Sequence, residues 1–424
     1  MSEHVLRSEH VLVIGSGRDL PTRLRRARPG TRTTVICRLD YLSKLRETTE
    51  HTRIIGVSPE APDDEWTAFA QAVHARHPFT RIVAFGERDQ DKCALIGQAL
   101  GLTAHSPRTT ALVYDKHAMR ARLREAGIDT TACAQVSDVA ELRAFLAAHD
   151  TPCIVKPGSG SFSKGITLAR DAEDAADAFA RAGGTLGDAD GTPVLVEQFH
   201  EGPQFSVEAF SEDGDHQIVA ITRKYSDPLN FVELGHVSPA PLTPAQEKQI
   251  HNYVERILDA LGIRSGATHT EVVLTEHGPQ LIETHVRMGG DEIPALAHDV
   301  TGVDIADCLI RHTLGEKVLP GIRAALAAPR TPRSSAIWFA ALPAPGVLAE
   351  TTGLDEARAI PGVTEVQLLV PPDAAVEALQ SSTSRVAHAR AIAPSADEAL
   401  AAAREAINRL TFHLHVHAAD QGAL

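Results

Sequence analysis

Residues 270–294 read TEVVLTEHGPQLIETHVRMGGDEIP. Val272, Val273 and Leu274 are strand formers, as are Leu281, Ile282 and Val286, so the stretch reads as a hairpin with a glycine-rich exit. With His277-Gly278-Pro279 as the connection, Glu276 faces Gln280, Val273 faces Glu283 and Glu271 faces His285. Side chains alternate between the two faces of a strand. Glu271, Glu283, His285 and Arg287 therefore share one face, within reach of one small ligand. Two carboxylates side by side repel each other unless a cation lies between them. Mg²⁺ takes oxygen ligands, usually one or two carboxylates together with substrate phosphates. Arg287, just beyond the second carboxylate, can hold a phosphate as a planar fork. Gly289-Gly290 lets the backbone approach a ligand closely. The plainer reading of this segment alone is a solvated face whose charges do nothing, and the rest of the chain has to decide.

The chain has 424 residues, enough for two or three domains, and its 43% hydrophobic and 23% charged content is that of a soluble globular protein. A net charge of −14 argues against a nucleic-acid backbone as partner. The five cysteines stand apart with no CxxC pair, which argues against a structural zinc site or a disulfide framework and fits a reducing cytoplasm. No apolar run is long enough to span a membrane, and the polar N-terminus does not read as a signal peptide. In the run HLHVH, His413, His415 and His417 alternate like a strand face and read as structural rather than as a metal site.

Residues 2–6 and 8–12 both read SEHVL. The first copy reads as a loose extension, and the second enters a buried-strand pattern followed by Gly15-Ser16-Gly17. A dinucleotide site would want a third glycine where Arg18-Asp19-Leu20 stand, so Asp40 further on is weak support for one. Strand-like runs at 33–37, 53–57 and 81–85 alternate with helical patterns at 64–76 and 89–100, which predicts a parallel sheet. Glu87 follows the third of these runs at the sheet's carboxyl end, where ligands bind in open α/β folds; it reads equally as the acid of a helix N-terminus. Residues 106–129 predict one helix with Lys116 near its middle. The strand at 153–157 carries Lys156 and leads into Gly158-Ser159-Gly160-Ser161-Phe162-Ser163-Lys164-Gly165. A lysine leaving a strand, then a Gly/Ser loop, makes a phosphate cradle with the mobility of a lid, although no Walker A pattern is present. The strand at 194–199 breaks at 200–203 and resumes at 204–209. After a strand at 216–224, YSDPLNFVELGHVSPAPL predicts a loop that brings Glu233 and His236 near Lys224. Residues 243–261 predict an amphipathic helix capped by Thr243 and Gly262. Strands at 336–341 and 364–370 and a helix at 396–409 predict a C-terminal lobe without chemistry of its own.

The ordered series DK…M (Asp115, Lys116, Met119), VKP with GSGSFSKGI, VEQF with EGPQFSVE, GHVSPAPL, HTEVV, LIETHVR and GGDEIP resembles the ATP-grasp superfamily, within its carboxylate–amine ligases. ELGHVSP and RMGGDEIP most resemble the L-amino-acid ligases that make dipeptides, and the C-terminal stretch resembles the last lobe of biotin-carboxylase relatives. The resemblance covers most of the chain and implies an α/β protein, α+β in its central part, with the ATP-grasp fold. Residues 1–105 would form an N-terminal Rossmann-like parallel-sheet domain and 106–196 the first ATP-grasp part with a mobile lid. Residues 197–330 would form the core with the metal and substrate site, and 331–424 a mixed C-terminal lobe.

The resemblance also implies ATP and Mg²⁺ as cofactors. Lys116 and Lys156 would meet phosphates and adenine, and the loop holding Ser159, Gly160, Ser161, Lys164 and Gly165 would close over the phosphates. Glu197, Gln198 and Phe199 would read adenine through their backbone, and Gln204 would bond the ribose. Glu271 and Glu283 would hold the metal and Arg287 the transferred phosphate, with Gly289, Gly290 and Asp291 against the substrate. His285 stands where the family has asparagine as a third metal ligand. Imidazole suits softer ions, so His285 would bind through water, favour Mn²⁺ or weaken that position. The implied reaction converts a carboxylate to an acyl phosphate, which an amine attacks to give an amide, ADP and phosphate. Glu233, His236 or Asp291 would take the amine's proton, imidazole being the group that titrates nearest neutrality. The implied partners are a small carboxylate and an amine, and the family is often homodimeric.

Three rivals stand beside this reading. A biotin-carboxylase-type enzyme would carry an arginine-rich stretch where this chain has KYSDPLNFVELGHV. A purine-pathway ligase would need a phosphoribosyl pocket that residues 226–241 do not suggest. A nucleotide-binding protein with lost catalysis is favoured by His285 and Gln204 and opposed by both lysines, both glutamates and Arg287.

Overall fold

The computed structural model describes residues 9–149, 152–158, 165–184 and 194–415. The first SEHVL copy, Ser159, Gly160, Ser161 and Lys164 of the Gly/Ser loop, and His417 lie outside the described residues.

Strands β1 (His10–Ile14), β2 (Arg32–Arg38), β3 (Arg53–Val57) and β4 (Arg81–Ala84) form a parallel sheet in the order β3-β2-β1-β4, as the alternation predicts. Strand β1 is buried at every position because both of its faces are covered. Leu12 and Ile14 pack with Trp66 and Ile96 on the outer helices, while Val11 and Val13 pack with Ile305 and Ile310 of the helix Ile305–Thr313. The single helix expected over 106–129 is instead two, Pro107–Tyr114 and Lys116–Glu125. Asp115 between them leaves helical geometry (φ −95, ψ 98) and accepts the Ala118 N–H at 2.9 Å. A side chain that caps a new helix breaks the old one. Lys116 therefore opens the second helix rather than sitting mid-helix.

Strands β5 (Cys133–Val136), β6 (Cys153–Pro157), β7 (Thr167–Ala169) and β8 (Val194–Gln198) form a small antiparallel sheet in the order β5-β8-β6-β7. The chain continues through β9 (Gln204–Glu212), β10 (Asp215–Ser226), β11 (Glu233–Ser238), β12 (Gly266–Thr275) and β13 (Gly278–His285). It ends with β14 (Ser334–Ala341), β15 (Gly346–Thr352), β16 (Val363–Leu368), β17 (Ala375–Val376), β18 (Arg385–Ala393) and β19 (Thr411–His415). One eight-stranded sheet, β13-β12-β9-β10-β11-β14-β18-β16, joins the central part to the C-terminal part; β17-β15-β19 stand apart as a small sheet.

Two expectations are corrected here. Residues 233–238, read as loop, form β11 between β10 and β14. Its pairing depends on Gly235, opposite Trp338, where an added Cβ would lie 2.1 Å from the indole ring. The hairpin register also differs. The turn is Glu276-His277, and a bulge after Glu271 shifts the pairing so that Glu271 faces Glu283 directly while His285 faces His269. A bulge inserts one residue on one strand and cannot be read from the alternation pattern.

The helix Pro244–Leu261 has the expected caps: Thr243 and Gln246 form a capping box, and Gly262 closes it at φ +70. Ile250, Val254, Ile257 and Leu258 pack against Phe205, Val207, Ile218 and Ile221 of the large sheet. Each such burial stabilises by about 1.5–3 kcal/mol. Among the described residues no helix is long and apolar enough to cross a membrane.

Candidate active site

Two cavities share Glu233, Glu271 and Glu283 as a common wall. The first lies between the small β5–β8 sheet and the large sheet. Ile154, Phe199, Val273 and Leu281 give it apolar walls, and Lys116, Lys156, Glu197, Gln198 and Gln204 line it as well. An apolar slot ending in cations is the shape a flat base with a charged tail requires. The second cavity, of about 350 Å³, is lined mainly by charged and polar residues, among them Glu87, Lys224, His236, His285, Arg287 and Asp291, with Gly290 beside them. Ser382, Thr383 and Arg385 reach it from the C-terminal part.

The carboxylates of the common wall are held by lysines. Lys224 lies 2.5 Å from Glu271 and 3.1 Å from Glu233, and Lys116 lies 2.9 Å from Glu283. Burial pushes both Glu271 and Glu283 toward the neutral acid, yet Lys224 and Lys116 respectively pull each well below the carboxylate range. Both stay ionised. Behind Glu271 stands His269, whose Nδ1 lies 2.5 Å from Glu208 and whose Nε2 lies 3.1 Å from Glu271. Burial alone would discharge this imidazole, but Glu208 and Glu271 raise its pKa to about 9. Glu208 also accepts the Gly289 N–H at 3.0 Å, and a Cβ at Gly289 would meet Glu208 and His269 at 3.0 Å. Gly289 thus gives close approach to these two side chains, and Gly290 is the glycine that borders the cavity.

The opposed carboxylates are hard oxygen donors, which suits Mg²⁺ held by two carboxylates and completed by phosphate oxygens and water. Among the described residues no group of three or more His, Cys, Asp and Glu side chains comes together to hold a metal ion. His285 does not close such a group with Glu271 and Glu283. Its Nε2 lies 3.1 Å from Glu283 and its Nδ1 3.7 Å from Glu87, so it orients carboxylates.

Other expected residues have specific partners. The Arg287 fork holds Glu87 Oε2 at 2.7 and 3.1 Å, so the sheet-end acid and the phosphate-binding candidate form one unit. Burial pushes Glu87 up, and His285 and Arg287 bring it below its ordinary value. The Glu197 side chain is buried against Arg120 and Lys156. Burial opposes its charge, but these two cations bring its pKa down to about 2. The Gln198 and Phe199 amides, expected to read adenine, already donate to Ala132 and Pro152 at 2.8 and 2.9 Å. His236 is fully buried, with Nε2 3.4 Å from Asp291 Oδ2, and Asp291 is the member of this pair that reaches solvent. Burial raises Asp291, but His236 and Arg385 hold it far below the carboxylate range. Arg120, Glu208, His269 and Arg385 were not singled out from sequence. His269 was within reach, because it lies two residues before Glu271 and so on the same strand face. Arg385 carried no local signal.

Residues 149–295 match the ATP-grasp domain, and 338–415 match the L-amino acid ligase C-terminal domain 2. The uncharacterized protein y4rH of Sinorhizobium fredii is 31% identical over 299 residues, which are 70% of this chain and 60% of that protein. The alanine–anticapsin ligase of Bacillus subtilis is 28% identical over 233 residues, 50% of this chain and 49% of that protein. The matches thus span less than two thirds of either relative's length. The L-amino acid ligase structure from Bacillus licheniformis superposes with a TM-score of 0.81 at 20% identity, covering 97% of this chain and 100% of that one. A phosphoribosylglycinamide synthetase from Anaerococcus prevotii gives 0.70 at 16% identity, over 96% and 100%. Residues 149–295 are thus an ATP-grasp domain, and the chain as a whole has the fold of these ligase structures. Its last domain is the one that takes its name from the L-amino acid ligases.

Proposed function

We propose that this protein joins the carboxylate of an amino acid or small acid to the amino group of a second amino acid or amine, using ATP and passing through an acyl phosphate. The observation that carries this reading is the shared wall: Glu233, Glu271 and Glu283 border both a nucleotide-shaped slot and a polar pocket. A γ-phosphate presented at that wall lies where the two cavities meet. The printed names of the L-amino acid ligase structure and the alanine–anticapsin ligase favour amino-acid substrates.

A carboxylate resists attack because its oxygen is a poor leaving group, and phosphorylation supplies a good one. Phosphoryl transfer is mainly positioning and charge neutralisation. Lys116 and Lys156 line the nucleotide slot and provide fixed positive charge for phosphates. Glu271 and Glu283 would hold Mg²⁺, which would neutralise charge on the transferring phosphate. Arg287 would exchange its Glu87 partner for the phosphate or the acyl phosphate, and Glu87 would then be free to accept from a substrate ammonium. Glu233 borders the polar pocket as an acceptor for the amine's proton, whereas Asp291, held far below the carboxylate range by His236 and Arg385, is a poor base, and His236 lies behind it. The test is phosphate release from ATP and Mg²⁺ with amino acids supplied singly and in pairs. Release that requires a pair is the expected result, and release indifferent to amino acids would overturn the reading.

A further inference from the structure

The C-terminal part reaches the polar pocket through residues 382–385, and this contact has no role in the reaction described so far. Arg385 begins β18 and is 93% buried, its side chain being 7% exposed. Its guanidinium is fixed on every side. Nη1 and Nη2 donate to Asp291 Oδ2 and Oδ1 at 2.8 and 2.6 Å. Nε donates to the Ser382 carbonyl at 2.9 Å, and the guanidinium carbon lies 3.9 Å from the centre of the Phe339 ring. A bidentate, stacked arginine holds its partner with little freedom.

Asp291 needs such a hold. Asp291 and Glu292 both lie in the left-handed region, at φ +53 and +59, a conformation that costs non-glycine residues energy. Two consecutive residues of this kind persist where neighbours impose the geometry. A carboxylate offers about four acceptor positions. Among the described residues, Asp291 Oδ2 accepts from Arg385 and His236, and Oδ1 accepts from Arg385 alone. One acceptor position on Oδ1 remains, on a side chain that is 25% exposed and borders the polar pocket. A substrate ammonium is the donor that fits a single charged acceptor at the edge of a pocket already lined with carboxylates.

We infer that Arg385 is a positioning residue: from the C-terminal part it sets the Asp291 carboxylate so that one lone pair receives the ammonium group of an amino-acid substrate. This deepens the ligase reading and rests on it. The arrangement makes the C-terminal part a specificity element and not only a continuation of the sheet.

The test uses the full chain with ATP, Mg²⁺ and an equimolar mixture of the twenty L-amino acids, with phosphate release as the readout. In Arg385→Gln and Asp291→Asn the half-saturating amino-acid concentration should rise about tenfold or more, while half-saturation by ATP stays within about twofold. The two effects should not multiply in the double variant, because both remove one interaction. Arg385→Lys should recover part of the loss. If Arg385→Gln does not accumulate folded, Asp291→Asn and Arg385→Lys carry the same test. Unchanged amino-acid dependence in a responsive protein, an equal rise for ATP, or multiplying effects would overturn the inference alone. A wild-type chain that releases phosphate regardless of amino acids would overturn the ligase reading and this inference together.

Discussion

Glu283 meets most of the site at once: Lys116 at 2.9 Å, His285 at 3.1 Å and both cavities, with Glu271 as its register partner across the hairpin. Glu283→Gln keeps the shape and removes the charge. It should lower ATP turnover by about a hundredfold or more with the fold intact, read by phosphate release alongside circular dichroism. Normal turnover would remove Glu283 from the metal site. Glu197 gives a prediction about pH. Its pKa is brought from 4.5 to about 2 by Arg120 and Lys156 against the cost of burial, so between these values the folded chain binds fewer protons than the unfolded one. Stability is therefore complete above about pH 4.5 and falls as pH drops through this window. In Glu197→Gln the urea midpoint should be lower at neutral pH, because two buried cations lose their partner, and should fall less between pH 4.5 and 2. An unchanged acid slope would contradict this. At this scale the sequence made residue types legible more than partners. Carboxylates and lysines at strand ends were readable as candidates, whereas the Arg287–Glu87 and Arg385–Asp291 pairs span 200 and 94 residues and leave no local pattern.

At the scale of elements, regular periodicity was readable and its interruptions were not. The helix Pro244–Leu261 was fixed by its caps and apolar stripe. Ile250→Ala there should cost about 2–5 kcal/mol, measured by urea unfolding. The bulge after Glu271 and the break at Asp115 depend on single hydrogen-bonding choices, so register and helix length were misread. Strand β11 was missed because its pattern is short and its partners, β10 and β14, lie on opposite sides in sequence. Gly235 is its most sensitive point. Gly235→Ala forces a methyl against Trp338 and should cost about 1–3 kcal/mol, with loosening between β11 and β14 visible as faster amide exchange in both. Unaltered exchange there would show that the indole yields without disturbing the sheet.

At the scale of the molecule, the parallel N-terminal sheet, the small antiparallel sheet and the eight-stranded sheet surround the shared wall of Glu233, Glu271 and Glu283. The ordered motifs made this architecture legible through their resemblance to the ATP-grasp superfamily, and not through any one of them alone. The continuity of the large sheet into the C-terminal part was not legible, since strand pairing over such distances is set by packing rather than local pattern. The proposed reaction rests on activation of a carboxylate by phosphate where the two cavities meet. The most direct measurement supplies a carboxylate substrate labelled with ¹⁸O on both oxygens, together with ATP, Mg²⁺ and the amine substrate, and reads the products by mass spectrometry. An acyl phosphate predicts one ¹⁸O in the released phosphate and a condensed product lighter by one water than its two parts. Unlabelled phosphate, or phosphate released without a condensed product, would contradict the account.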